Sequence, residues 1–434
     1  MCWPNSILYV KISLLIKGGV LVVLQQKIFR SSLSLPSEEV TLVLKNKIQE
    51  ENLLVEQNAT NESIVFESKL LSGTTYNSKS INIVSLFSGA GGLDLGVQLA
   101  AISSEFNQDI AYNALKNRSS FYHLSKKINL VYSNDLFKSA NETYLMNFNS
   151  DVVKDSRDIR KVINFPKSDL MLGGFPCPGF SAAGPRLLDD PRNFLYIHYI
   201  RALMQSKPYF FIAENVKGLM TMAKGQVLDQ MTQDFAAAGY QVSAHLVNAR
   251  DYGVPQSRER VFIIGTRNDI VEKYGFQYIL PTPTHGTLTN PYLTLRDAIG
   301  DLPLDTDDVF DSDYSSMYMS RNRKKNWNDQ SFTIQASGRQ APQHPAGEPM
   351  ERAGKDLWRF MGDFNRRLSV RECARIQTFP DWFIFSDGNN PNVSKNSRLN
   401  EQYKQIGNAV PVLLAEKISR PIVKFLLEHK KILS

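Results

Sequence analysis

Cysteine and histidine are scarce in this chain: its 434 residues include three Cys and six His. The cysteines are Cys2, Cys177 and Cys373, so a framework of several disulfide bonds is excluded and a cytoplasmic location is expected. Nowhere do Cys and His have the spacing of metal ligands, and no metal is expected. The 42% of hydrophobic and 21% of charged residues indicate a globular protein, long enough for two or three domains.

Long uncharged hydrophobic runs are also missing. The most apolar stretch, residues 7–24, contains Lys11 and Lys17. Each lysine would cost roughly 3 kcal/mol near the centre of a bilayer. The stretch could be a poor signal peptide or anchor, but a leader that folds at the periphery is favoured, and no membrane association is expected.

An excess of acidic residues is absent as well. Fifty Lys and Arg outnumber 43 Asp and Glu, giving a net charge of +7. A basic protein favours a polyanionic partner such as nucleic acid, although this charge alone is weak support.

A glycine loop follows the first clear strand, residues 81–87. Gly89, Gly91 and Gly92 precede a predicted helix, an arrangement in which backbone N–H groups can face a nucleotide. The spacing is Gly-x-Gly-Gly rather than Gly-x-Gly-x-x-Gly, so a dinucleotide is not indicated. The loop binds a cofactor or is a tight turn, and the residues leave both open.

Three acids come at or near the ends of predicted strands. Asp135 follows residues 130–134 and could bind two ribose hydroxyls or cap a helix. Asp158 is near another predicted strand end, where it is either a ligand-binding acid like Asp135 or a turn residue. Glu214 follows the apolar run 208–213, where a carboxylate needs a partner or a task, unless it caps the next helix.

Cys177 lies in a segment rich in glycine and proline. It stands between Pro176 and Pro178, a few residues after a short buried strand that ends at 169–172. A thiol at the carboxyl end of a strand is placed as a nucleophile on an α/β sheet, although an isolated cysteine is more often structural. Cys373, within a helix capped by Ser369, is predicted to be structural.

Arginines mark the second half of the chain. Arg258 and Arg260 precede the strand at 261–265 and lie either around an anionic or base-binding pocket or in a surface pair with Glu259. From about 268 to 365 the βα alternation stops. This irregular region is basic, and Arg321 and Arg323 could enter a DNA groove together.

Several blocks occur in one order over about residues 81–425, and together they resemble a DNA (cytosine-5) methyltransferase of the bacterial restriction–modification type. The blocks are Ser85-Leu86-Phe87-Ser88-Gly89-Ala90-Gly91-Gly92-Leu93, Pro176-Cys177, Glu214-Asn215-Val216, Gln256-x-Arg258-x-Arg260, Arg371-Glu372-Cys373-Ala374-Arg375 with Gln377-Thr378-Phe379-Pro380, and Gly407-Asn408-Ala409-Val410. The segments around Arg321 and Arg339, with His344-Pro345, are similar to enzymes that read GGCC, and related enzymes read GG and CC around a central base or pair.

The resemblance implies an α/β fold. It implies a Rossmann-like methyltransferase sheet with helices on both faces and a smaller, irregular target-recognition domain. The expected organisation is an N-terminal extension and linker (1–80), a catalytic and cofactor-binding domain (81–267), the target-recognition domain (268–365) and a return segment (366–434). Residues 55–80 are predicted to be the linker, and residues 102–129 an insertion.

The resemblance also implies a cofactor, S-adenosylmethionine, and a partner, double-stranded DNA, without a stable protein partner. The catalytic residues would be Cys177, Glu214, Arg258 and Arg260. The cofactor would lie against Phe87, Ser88, Gly89, Gly91, Gly92, Leu93, Asp135, Leu136, Asp158, Ile159, Pro176 and Asn408. Guanines would be contacted by Arg321, Arg323 and Arg339, and phosphates by Lys324 and Lys325.

Two departures from the family pattern stand out. Pro178-Gly179 follows the cysteine where the family commonly has Gln, and residues 1–80 and 102–129 have no counterpart in a minimal enzyme. The remaining alternatives are an RNA cytosine-5 methyltransferase on the same fold and a catalytically inactive DNA-binding protein. A nucleotide-dependent oxidoreductase is disfavoured by the glycine spacing.

Overall fold

The computed structural model describes residues 12–17, 20–25, 36–148, 151–176 and 195–433. Cys177 lies outside the described residues. The strands are β1 (Ile12–Lys17), β2 (Val20–Gln25), β3 (Ile81–Leu86), β4 (Ile128–Asn134), β5 (Val153–Asp155), β6 (Leu170–Gly173), β7 (Phe210–Val216), β8 (Tyr240–Asn248), β9 (Glu259–Arg267), β10 (Glu351–Gly354) and β11 (Leu357–Arg359).

The helices of the described residues alternate with these strands in the first half of the chain and dominate its end. They are α1 (Ser37–Gln57), α2 (Asn61–Ser72), α3 (Gly92–Glu105), α4 (Gln108–Leu115), α5 (Arg118–Leu124), α6 (Lys138–Asn147), α7 (Leu195–Ser206), α8 (Gln226–Ala237), α9 (Asn268–Tyr274), α10 (Leu295–Ile299), α11 (Ser316–Met319), α12 (Val370–Ile376), α13 (Lys395–Asn408) and α14 (Val412–Leu433).

Seven strands form one mostly parallel sheet in the order β5-β4-β3-β6-β7-β9-β8. The five strands from β5 to β7 are parallel, and β9 runs antiparallel to both β7 and β8. β3 is buried along its whole length, as expected of a parallel strand covered on both faces. The predicted α/β sheet with helices on both faces is confirmed.

The two faces of the sheet carry separate hydrophobic layers. Ile81 and Ile83 point into a core with residues of α3 and α14, while Val84 and Leu86 point into a core with residues of α1, α7 and α8. This alternation follows from the two-residue repeat of a strand. The chain leaves β3 toward β4 and later returns to β6 on the other side. Ligands of such sheets bind at this switch point, beyond the strand ends.

The register brings four strand ends to one level. Leu86 of β3 pairs with Asn134 of β4 on one side and with Gly173 of β6 on the other. Gly173 in turn pairs with Ala213 of β7. The residue after each of these therefore emerges at the same edge. These four residues are Phe87, Asp135, Gly174 and Glu214.

The predicted linker at 55–80 is wrong, because α1 extends into it and α2 fills its middle. Thr60 and Ser63 form a reciprocal capping box that starts α2. After α2, the hydroxyl of Tyr76 donates to the buried carboxylate of Asp169 at 2.6 Å. Lys430, near the end of α14, reaches the same carboxylate at 2.6 Å.

Residues 102–129, expected to be an insertion without a clear motif, contain the end of α3, all of α4 and α5, and the first residues of β4. Asn107 and Asn117 cap α4 and α5 with their side chains. Gly407 and Asn408 form the end of α13, and α14 begins at Val412.

Among the described residues, the irregular region contains the three short helices α9, α10 and α11 and one small hairpin, β10–β11. Ser369 caps α12 and shares a capping box with Glu372, as predicted. Within the part of the chain that the structure describes, no helix combines the length and apolarity that crossing a membrane requires.

Candidate active site

A cleft of about 490 Å³ opens at the sheet edge where Phe87, Asp135, Gly174 and Glu214 emerge. Its walls contain nearly all of the predicted cofactor residues together with three predicted catalytic ones, and a volume of this size suits a small-molecule ligand. The predicted residues on its walls are Phe87, Ser88, Gly89, Gly92, Leu93, Asp135, Leu136, Asp158, Ile159, Pro176, Glu214, Arg258, Arg260 and Asn408.

Gly91, which was also predicted to contact the cofactor, does not line the cleft. It precedes α3 with φ +84°, a conformation that favours glycine. A Cβ there would lie 2.3 Å from the ring of Phe148, which packs against the loop from behind. Gly91 therefore shapes the loop and is not among the wall residues.

The carboxylate of Asp135 lines the cleft. One oxygen accepts the backbone N–H of Gly89 and the other that of Phe137, both at 2.8 Å. A carboxylate offers about four acceptor positions, so two remain for hydroxyl groups. Phe87 and the 62%-exposed Leu136 supply apolar walls on either side. Apolar walls and an acid with free acceptor positions fit an adenosine.

Asp158 and Ile159 line the same cleft, one as an ion-paired acid and the other as an apolar residue. The carboxylate of Asp158 is held by the guanidinium of Arg160 at 2.5 Å, and this bond lowers the pKa of Asp158. Asp158 also caps the short helical turn that follows it, so the turn-residue interpretation holds alongside the pocket interpretation. Ile159 is buried and presents an apolar surface.

Glu214 and Arg260 form a buried ion pair on the opposite wall. The Nε atom of Arg260 lies 2.9 Å from Oε1 of Glu214, and both side chains are largely shielded from solvent. Burial lowers the pKa of the Arg260 guanidinium, and the charge of Glu214 opposes that shift. Glu259 pairs instead with Lys217, so the predicted alternative of a surface pair between the arginines and Glu259 is wrong.

Arg258 is fully enclosed behind the cleft. Its guanidinium donates to the carbonyls of Gly407 at 2.8 Å, Ala409 at 3.0 Å and Ile334 at 3.2 Å. It thereby joins the junction of α13 and α14 to residues 331–340 of the irregular region. Burial lowers its pKa well below the ordinary value, with Arg260 adding to the effect. This geometry is that of a residue that supports the site's loops.

Gln256 and Gln377 extend the same hub. Gln256 donates to the side-chain oxygen of Gln377 at 2.9 Å and accepts the backbone N–H of Ile334 at 2.9 Å. Gln377 donates to the carbonyl of Ile406 at 2.6 Å. Three of the sequence blocks therefore meet through hydrogen bonds at one place, although Gln256 and Gln377 are 121 positions apart in the chain.

The segment leading to Cys177 is fixed on the cleft wall. The side chain of Asn215 donates to the carbonyl of Phe175 at 3.2 Å, and Pro176 lines the cleft. Cys177 follows Pro176 directly in the chain but lies outside the described residues. Cys373 is completely buried, and burial raises the pKa of its thiol, in agreement with its predicted structural role.

Two of the three predicted guanine-reading arginines are exposed, and one is not. Arg321 and Arg339 face solvent. Arg323 is 5% exposed, and its guanidinium donates to the carbonyl of Tyr318 at 2.9 Å and to the side chain of Gln340 at 3.1 Å. These bonds occupy the group that a guanine would need, so the geometry opposes the prediction for Arg323.

Lys324 also departs from its expected role. It is 5% exposed, and its ammonium group donates to the carbonyl of Phe364 at 3.2 Å, so it does not face a phosphate. The partly exposed Lys325 lies with its ammonium group 4.9 Å from the ring centre of Phe332. Local sequence does not reveal which charges of a basic run are captured by carbonyls.

The cations on the cleft wall that sequence reasoning missed include Arg157 and Lys404, besides the Arg160 that pairs with Asp158. Arg157 pairs with Asp155 at 2.7 Å and with Glu67 at 2.8 Å. Lys404 has its ammonium group 3.9 Å from the ring centre of Phe137. Neither belongs to a recognisable block, and no local signal points to them. Among the described residues, no group of three or more His, Cys, Asp and Glu is placed to hold a metal ion.

Comparisons with known proteins agree on one family. The family model for C-5 cytosine-specific DNA methylases matches residues 81–424. The chain is 54% identical over 398 residues to the Type II methyltransferase M.BsuRI of Bacillus subtilis, covering 90% of this chain and 89% of that protein. It is 52% identical over 409 residues to the Type II methyltransferase M.BspRI of Lysinibacillus sphaericus, covering 93% and 94%.

Solved structures with low sequence identity share the fold. The S. pombe Dnmt2 methyltransferase has a TM-score of 0.52 at 17% identity, covering 80% of this chain and 98% of that one. The Entamoeba histolytica methyltransferase EhMeth has a TM-score of 0.52 at 16% identity, covering 80% and 99%. At these identities the likeness concerns the architecture alone.

Proposed function

Because the chain belongs to the C-5 cytosine-specific DNA methylase family and is a DNA cytosine-5 methyltransferase, we propose that it methylates one cytosine of a short duplex site with S-adenosylmethionine as the donor. The proposed site is GGCC, GGWCC or GGNCC, and its methylation would protect DNA from a cognate restriction endonuclease. The observation that carries this proposal is a single cleft that combines the Asp135 wall with the Glu214–Arg260 pair.

The proposed cofactor residues match the chemistry of the donor. Asp135 would bind the ribose hydroxyls, Phe87 and Leu136 would flank the adenine, and Asn408 would lie near the amino-acid end. Asp158 and Ile159 would border the adenine edge, with Asp158 still paired to Arg160. When bound, S-adenosylmethionine supplies a methyl group on a positively charged sulfur, which an uncharged C5 carbon attacks only poorly.

The residues of the opposite wall would activate the cytosine. The thiolate of Cys177 would add to C6, which turns C5 into an enamine-like nucleophile. Glu214 would hydrogen-bond N3 and the exocyclic amine, and so stabilise the ring as the thiolate adds. Arg260 would hold O2 while its ion pair keeps Glu214 in place. After C5 has taken the methyl group, whose former sulfur is left neutral, transfer of the C5 proton to water would allow the C6–sulfur bond to break, which restores the thiolate and the aromatic ring.

This chemistry requires a cytosine outside the duplex. A base inside the stack cannot enter a cleft that lies at a sheet edge, and enzymes that modify bases turn the nucleotide out at a cost of a few kcal/mol. Arg321 and Arg339 are the proposed major-groove contacts to guanine. Arg323 would act indirectly, since its bonds join the segment around Tyr318 to Gln340, next to Arg339.

The test is methyl transfer from labelled S-adenosylmethionine to short duplexes that contain GGCC, GGWCC, GGNCC or a scrambled site, with tRNA as a further substrate. We expect transfer to one duplex class. A covalent adduct should form with 5-fluorocytosine in that site, and Cys177→Ser should abolish both results while DNA binding persists. Transfer to tRNA alone, or no transfer and no adduct with wild-type protein, would overturn the proposal. Bisulfite sequencing of DNA from expressing cells then identifies the cytosine.

A further inference from the structure

Glu67 of α2 is a buried carboxylate that lies outside the span of the family model. It is 2% exposed, although most of its neighbours on α2 are exposed. Its oxygens accept from Nη1 of Arg157 at 2.8 Å, from the backbone N–H of Ile163 at 2.9 Å, and from the backbone N–H and side-chain amide of Asn164 at 2.9 and 3.0 Å. Four donors therefore saturate the carboxylate.

All four donors belong to one short segment, residues 157–164. The first four residues of that segment, from Arg157 to Arg160, line the cleft. Arg157 is held between two acids, because it also pairs with Asp155 at the end of β5. Glu67 therefore fixes both ends of a segment whose first half is the cleft wall.

A second anchor holds the same segment from the other side. The guanidinium of Arg201, on α7, donates to the carbonyls of Ile159 at 2.9 Å and Val162 at 2.7 Å. Arg201 lies on the sheet's own helix layer, whereas Glu67 comes from the N-terminal extension. The wall segment is thus clamped between the extension and the catalytic domain.

Similarity to the relatives also reaches into the extension. M.BsuRI and M.BspRI cover 90% and 93% of this chain, which is more than the residues from 81 to the end can supply. Part of the first 80 residues therefore has a counterpart in both proteins.

We propose that Glu67 is a positioning residue for S-adenosylmethionine, which fixes the adenine-side wall of the cleft from the N-terminal extension. This inference rests on the proposed cofactor. Glu67 does not line the cleft; it acts through Arg157 and the backbone of residues 163–164. In Glu67→Gln one carboxylate oxygen becomes an amide NH2, so two of the four donors lose their acceptor, and Arg157 keeps its pairing with Asp155 but loses its charge partner on α2. The wall then loses its defined position while the DNA-facing side is unchanged.

The experiment compares Glu67→Gln with wild-type protein by calorimetric titration of S-adenosylmethionine. We expect the cofactor Kd to rise about tenfold or more, with kcat at saturating cofactor and the KM for DNA within twofold of wild type. Arg157→Lys, which keeps a positive charge but cannot bridge two acids, should shift the cofactor Kd in the same direction. The exposed Glu62→Gln, on the same helix, should change neither quantity.

Thr60→Ala distinguishes a positioning role of Glu67 from a purely structural one, because it removes the cap of α2 without touching the wall segment. If Thr60→Ala lowers the melting temperature as much as Glu67→Gln does but keeps cofactor affinity, the positioning role is supported. A cofactor Kd of Glu67→Gln within twofold of wild type, or an equal loss of cofactor and DNA affinity, overturns the inference. Failure of wild-type protein to bind S-adenosylmethionine would instead overturn the proposed function.

Discussion

Glu214 and Arg260 illustrate how a buried charge is kept available for chemistry. Both side chains are largely removed from water, and their 2.9 Å contact compensates part of the cost of burying the two charges. The register explains the encounter, since β7 and β9 are antiparallel neighbours and Val216 pairs with Arg260 across them. An acid two residues before Val216 then lies on the same face as the arginine.

Glu214→Gln should lower kcat by about 10² to 10⁴-fold, the range associated with acid–base assistance, while DNA affinity stays within threefold. The amide keeps the shape but removes the charge that Arg260 and the cytosine ring require. Single-turnover methylation at saturating DNA measures the effect. Glu259→Gln, on the neighbouring exposed pair with Lys217, serves as the control. A Glu214→Gln rate within tenfold of wild type would contradict the assigned role.

Arg339→Ala should reduce discrimination between the proper site and a site with one altered guanine by about tenfold or more, because a bidentate guanine contact contributes about 1–3 kcal/mol. Competition binding with the two duplexes measures it. Arg352→Ala removes the same charge from an exposed hairpin and should leave discrimination intact. Equal discrimination by Arg339→Ala and wild type would show that another group reads the guanine.

At the scale of elements, the α13–α14 junction connects three parts of the molecule. Arg258 and Gln377 bind its carbonyls, and residues 331–340 pack on it closely. A Cβ on Gly407 would lie 2.3 Å from the backbone carbonyl of Gln335, so only glycine permits this approach. The junction therefore links the cofactor wall, through Asn408, to the recognition segment.

Gly407→Ala should lower the free energy of unfolding by about 1–3 kcal/mol through overpacking, and raise the KM for both cofactor and DNA. Urea unfolding and steady-state kinetics measure the two effects. Gly354→Ala is a suitable control, because the nearest atom to its added Cβ is 3.8 Å away. If only stability falls while both KM values stay unchanged, the junction does not couple the two binding regions.

Elements that bury continuous apolar runs were predictable, and those held by distant partners were not. β3 and β7 follow from such runs, and α12 follows from its Ser369 cap. α2 was missed because Ile64, Val65 and Phe66 are exposed, so no apolar stripe marks a buried face. In the site, Glu214 and Asp135 follow from strand ends, whereas the Glu67–Arg157 pair spans 90 positions and has no local signature.

At the scale of the whole molecule, buried neutral histidines set the response to acid. Burial, with Arg366 and Lys324 nearby, lowers the pKa of His344 to about 3, and burial with Arg201 lowers that of His198 to about 4. The unfolded chain binds these protons near pH 6.5, so the folded state loses stability as pH falls below that value.

The free energy of unfolding should therefore fall between pH 7 and pH 5, and it should fall less steeply for His344→Gln than for wild-type protein. One proton bound only by the unfolded chain contributes about 1.4 kcal/mol per pH unit, so the two curves should differ by about 2 kcal/mol at pH 5 relative to pH 7. Urea unfolding at each pH measures the slopes, with the exposed His123→Gln as control. Parallel curves for His344→Gln and wild type would exclude the assigned proton linkage.

The carboxylate of Asp169 has a practical consequence for anyone producing this protein. Two of its partners, Tyr76 and Lys430, fall on either side of the family-matching span 81–424. A recombinant fragment trimmed to that span would discard both and leave a buried negative charge facing the amides of Asn82. We therefore expect a stable recombinant fragment to need Tyr76 at one end and Lys430 at the other, beyond the matched span.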